Sequence, residues 1–109
     1  MKNILLLYVL STFCFELGLA QDNVLLFTKT AGYRHKNIEA GVKVIQEIAN
    51  KNGFTIVHSE DASIMNNGDL KNYSGIIFFS TSGDILNEVE QLAFQKFIRK
   101  GGGFMGIHA

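Results

Sequence analysis

Three histidines occur in this chain, and each stands at or just after a short apolar run. His35 ends Gly32-Tyr33-Arg34-His35, downstream of Val24 to Phe27. His58 closes the run Phe54 to Val57. His108 sits in Gly106-Ile107-His108-Ala109, reached through the turn Gly101-Gly102-Gly103 and then Phe104-Met105. An imidazole that titrates near neutrality can carry protons, hydrogen-bond a hydroxyl, or ligate a divalent metal. Arg34 adds a fixed cation beside His35, suited to an anion or an array of sugar hydroxyls. The same guanidinium has a second outlet, an ion pair with Glu60 or Asp61. Tyr33 either packs sideways or donates a hydrogen bond to a ligand. Thr81-Ser82-Gly83-Asp84 follows a further apolar run, Ile76 to Phe79. A glycine there can aim backbone N–H groups at an anion or oxyanion, or serve only as a turn.

These groups need elements to bring them together. Ile38, Val42, Ile45, Ile48 and Ala49 recur at helical spacing, so a helix is predicted over 38–52, with Asn37 as N-cap and Gly53 as left-handed C-terminal residue. Asn87 and Glu90 form a capping-box start, and Leu86, Val89, Ala93 and Phe97 give a second apolar face through Lys100. Short strands are expected near Val24–Phe27, Phe54–His58, Ile76–Phe79 and Phe104–Ile107, with one short helical piece near Asp69 to Asn72 inside the polar stretch Asp61 to Tyr73.

The alternation predicts an α/β fold, a doubly wound parallel sheet of flavodoxin-like order 2-1-3-4. In such a sheet every strand leaves by the same rim, so His35 and His108 should share one edge of it, with His58 further off. Gly101-Gly102-Gly103 precedes its strand and belongs to the opposite rim, and no phosphate-loop or dinucleotide fingerprint is present. Phe94, Phe97 and Phe104 read as core.

Ten basic and ten acidic residues balance, which argues against electrostatic binding of nucleic acid. Lys2, the apolar stretch Ile4 to Phe15 and Gly18-Leu19-Ala20 read as a signal peptide over residues 1–20, cleaved near Ala20. The stretch is short of the roughly 20 residues that span a bilayer, so an exported, periplasmic or secreted protein without a membrane anchor is expected. Cys14 is the single cysteine, and Phe13 before it is too bulky for a lipid-attachment motif. Cleavage leaves 21–109 without disulfides, thiolate metal ligands or a cysteine nucleophile. The chain stops on a strand, so 21–109 is read as the N-terminal part of a domain, incomplete at its C-terminus, with fused domains downstream as candidates.

Four segments carry a resemblance: Val24 to His35, Ser59-Glu60-Asp61-Ala62, Phe79 to Asp84, and Gly101 to Ala109. Together they resemble the trehalose-utilisation (ThuA-like) family over residues 23 to 109. The resemblance implies a fold similar to the class I glutamine amidotransferase domain, whose Gly-x-Cys-x-Gly elbow carries the nucleophile. Here the elbow reads Gly106-Ile107-His108-Ala109. A histidine in place of the cysteine cannot form the thioester of glutamine hydrolysis, so amidotransferase activity is not expected.

The family resemblance implies use of disaccharides such as trehalose, through 3-keto-sugar intermediates. The partner is then a small carbohydrate. His108 would be the catalytic acid/base, with His35 assisting, and Arg34, Tyr33, Thr81, Gly83 and Asp84 would bind substrate in a hydrolase, lyase or isomerase. Two alternatives stay open: a metal-dependent hydrolase or lyase using His35 and His108, with His58 as a further ligand, and a non-catalytic sugar-binding or interaction module. No cofactor is firmly implied beyond that divalent metal.

Overall fold

Leu25, Leu26 and Phe27 are fully buried, which requires cover on both faces of the strand that carries them. In the computed structural model, which describes residues 22–108, that strand is β1 (Asn23–Phe27), with β2 (Thr55–Ser59), β3 (Gly75–Phe79) and β4 (Gly103–Ile107) beside it. All pairings are parallel and the order is β2-β1-β3-β4. The doubly wound α/β sheet expected from the sequence is therefore present, each strand within one residue or so of its predicted bounds. The predicted signal peptide and Ala109 lie outside the described residues. No helix among the described residues is long and apolar enough to cross a membrane.

Alternate side chains leave the sheet on opposite faces. Leu26 and Phe79 meet Ile38 and Val42 of helix α1 (Ile38–Asn52) on one face. An ideal Cβ on Gly41 would run into the Phe79 ring, so a glycine there lets α1 sit close to the sheet. Leu25, Phe27 and Ile76 face the other way, against Ala62, Met65 and Leu70, with Phe94 and Phe97 of helix α2 (Glu88–Arg99) packed on them. Two 3-10 turns, Ala62–Met65 and Asp69–Asn72, occupy the polar stretch. Only the second was foreseen, because the first is started by Asp61 rather than by an apolar period. The Asp61 carboxylate accepts from the Ser63 amide and hydroxyl, and those two bonds hold its pKa below the ordinary carboxylate value.

Gly53 ends α1 at φ 76, its amide bonded to the Ala49 carbonyl. Asn37 does not cap α1 through its side chain; its carbonyl accepts from Gly41 instead. Ile48, counted on the apolar face, is 49% exposed. At α2 the expected capping box is formed, with the Asn87 side chain accepting from the Glu90 amide and the Glu90 side chain from the Asn87 amide, both at 2.8 Å. Asn87→Ala should cost about 1 kcal/mol, measurable as a lower urea midpoint at unchanged m-value.

β4 takes the edge position expected of it, but is more exposed than expected. It is the edge strand and exposed along its length, and Phe104, read as core, is 52% exposed. Its ring still meets Phe78 and Phe94 edge-on at 5.2 and 5.4 Å. The remainder is open because β4 has a neighbour on one side only.

Candidate functional site at the strand-end rim

The carboxyl ends of the strands gather the predicted residues onto one rim. His35, in the loop after β1, and His108, directly after β4, present their rings to each other with centroids 6.0 Å apart at 66°. Tyr33 stands edge-on to His35 at 4.9 Å and is 68% exposed, so its sideways packing on the histidine leaves most of the ring available. The two imidazoles come from segments far apart in sequence. Parallel geometry and the 2-1-3-4 order bring them together above β3.

The loops after β1 and β3 are tied to each other at the point where strand order reverses. Thr30 and Ser82 form an isolated parallel bridge. The Ser82 carbonyl accepts from the amides of Ala31 (2.8 Å) and Gly32 (3.2 Å). The Ser82 hydroxyl in turn donates to the Tyr33 carbonyl. Gly83 adopts φ 75, and a Cβ on it would lie 2.8 Å from the Gly32 nitrogen and 3.1 Å from the Ala31 carbonyl carbon. This glycine is required by the close approach of two backbones. Thr81 and Asp84 flank it on the same loop, Asp84 exposed and Thr81 half-buried.

Arg34 takes the ion-pair outlet. Its guanidinium donates to Glu60 after β2, and to Glu39 in the first turn of α1 at 3.2 Å. The hydrogen bond to Glu60, then that to Glu39, raises its pKa above the ordinary arginine value. Asp61, the other carboxylate considered for this pair, is engaged by Ser63 instead. Arg34 therefore fastens the His35 loop to α1 and β2. Both of its acceptors are themselves exposed, so the cation still lies at the rim.

His58 shares the rim but belongs to its β2 side. Its Nε2 lies 2.7 Å from the hydroxyl of the fully buried Thr28. Among the described residues no group of three or more His, Cys, Asp or Glu is arranged to hold a metal ion. The metal alternative thus has the facing pair His35 and His108, with His58 tied elsewhere.

Two residues of this rim have contacts that sequence reading did not foresee. Thr28 is a hydroxyl placed directly after an apolar strand, a signal that was available. Ser80 was expected only as the start of the loop bordering the rim, with no sign of its role: it is 3% exposed, adopts φ 51, and donates its hydroxyl to the His108 carbonyl. A cavity of about 770 Å³ lies away from all of them, between α2 and the 3-10 turns at the opposite end of the strands. Leu70, Leu92, Phe97 and three lysines border it, and none of the predicted chemical residues does.

A family model described as ThuA, trehalose utilisation, matches residues 23–109. No curated protein and no solved structure gives a significant match.

Proposed function

The chain belongs to the ThuA (trehalose-utilisation) family, and from that premise we propose that the strand-end rim binds a disaccharide or its 3-keto derivative and moves a proton on it. His108 is the general acid/base and His35 assists. Tyr33, Thr81 and Asp84 contact hydroxyls, Gly83 shapes the loop beside them, and Arg34 orients the His35 loop while presenting charge at the rim. The observation that carries this reading is the facing pair His35–His108, one half-buried and one exposed, at the carboxyl-end rim of a parallel sheet, where ligands of such sheets collect.

A proton next to a keto group, or on a glycosidic oxygen, needs a partner with a pKa near the working pH. Two imidazoles supply one group to take the proton and a second to steady the charge. The chain meets its sugar outside the cytoplasm if the N-terminal segment is removed as a signal peptide. Amidotransferase chemistry is not part of this reading, because His108 stands at the elbow where a thiolate would be required.

The test is a titration of the purified full chain with trehalose, sucrose and their 3-keto forms, following the ring C–H resonances of the histidines. His35 and His108 should shift together and saturably, with His58 largely unmoved, and glutamine should shift neither. Product formation from the bound sugar separates catalysis from a binding module. Silent His35 and His108 resonances at saturating sugar would remove the proposal. A shift seen only after adding a divalent metal would favour the metal-dependent alternative.

A further inference from the structure

Ser80 is the residue whose conformation the fold explains least and the site explains best. It follows β3 directly and adopts φ 51, a region that residues bearing a Cβ rarely enter. Among the described residues the other positive-φ positions, Gly53, Gly68, Gly83 and Gly101, are all glycines. A glycine would meet the backbone demand freely, so the serine is explained by what its side chain adds. Its hydroxyl donates to the His108 carbonyl at 2.9 Å, and its amide donates to the Ile107 carbonyl at 3.2 Å.

Two consecutive carbonyls of one chain segment are therefore held by one residue of its neighbour. That segment is the end of β4, an edge strand paired on one side only. Ser80 is 3% exposed, so water competes poorly for its hydroxyl, and the bond is correspondingly persistent. Strained backbone conformations persist where the surroundings over-determine them, and they concentrate at functional sites.

We propose that Ser80 is a positioning residue for His108: its left-handed backbone and buried hydroxyl clamp the end of β4 so that the His108 ring faces His35. This rests on the proposed reading of the rim only for its consequence in sugar binding; the clamp itself is a property of the free protein.

The experiment uses Ser80→Gly, which keeps the backbone conformation and deletes the hydroxyl, with Ser80→Ala as a second variant in case the first fails to fold. In the ligand-free full chain, the nuclear Overhauser contact between the His35 and His108 rings should be lost or strongly weakened. The contacts between the Thr30 and Ser82 loops should remain. Affinity for the sugar that binds the parent protein should fall by about tenfold or more, with the melting temperature changed by only a few degrees. Loss of the ring contact without loss of affinity would leave the clamp standing and overturn the sugar-site reading. Retention of the ring contact in whichever variant folds would overturn the clamp.

Discussion

His108→Ala is expected to lower turnover of the cognate sugar by roughly a hundred- to ten-thousand-fold, the range general acid–base catalysis contributes. That corresponds to about 3–5 kcal/mol of transition-state stabilisation. Fold stability should stay within about 0.5 kcal/mol, because His108 is exposed and its ring contact is the edge-on approach to His35. The Ser80 clamp acts on the His108 carbonyl, which alanine retains, so the elbow itself survives the substitution. Arg34→Ala should behave differently. It breaks exposed ion pairs to Glu60 and Glu39, which solvent screens, and frees the loop carrying His35. The expected signature is a raised KM with a smaller change in kcat. Steady-state kinetics and thermal melts on both variants check this. Wild-type turnover by His108→Ala, combined with a lowered melting temperature, would make His108 a structural residue and favour the binding-module alternative.

Gly83→Ala is expected to disable the site by a different route. A Cβ at φ 75 costs on the order of 1–2 kcal/mol for the left-handed conformation. The added atom would also lie 2.8 Å from the Gly32 nitrogen, and a backbone atom cannot swing aside as a side-chain tip can. The two loops must separate, which stretches the hydrogen bonds from Ala31 and Gly32 to the Ser82 carbonyl. Loss of those bonds brings the total above about 2 kcal/mol. Tyr33 and His35 are carried on the displaced loop, so sugar binding should weaken together with stability. Denaturant melts and sugar titration should fall in step. Unchanged stability in Gly83→Ala would show that the loops have slack, and would leave Gly83 free for a donor role toward ligand.

The local pattern of the sequence determined the path of the chain. Helical periodicity over 38–52, the Asn87–Glu90 capping box and the unbroken apolar runs each act within a few residues, so they can be read without knowing what lies opposite. Parallel strands joined by right-handed crossovers leave few topologies, which is why the 2-1-3-4 order and the shared rim of His35 and His108 were legible in advance.

Tertiary structure alone decided which groups found one another. Arg34 had carboxylates at positions 60 and 61 within reach by sequence. The alternation of side chains leaving β2, together with a third carboxylate on α1, selected Glu60 and Glu39 and left Asp61 to start a 3-10 turn. Phe104 carried the pattern of a core residue, yet exposure depends on neighbours across the sheet, and an edge strand has only one. Ser80 could be placed in the loop at the rim, but not its left-handed backbone or its bond to the end of β4. The partner of its hydroxyl, the His108 carbonyl, lies on another strand, and no property of its own neighbours in sequence encodes that contact.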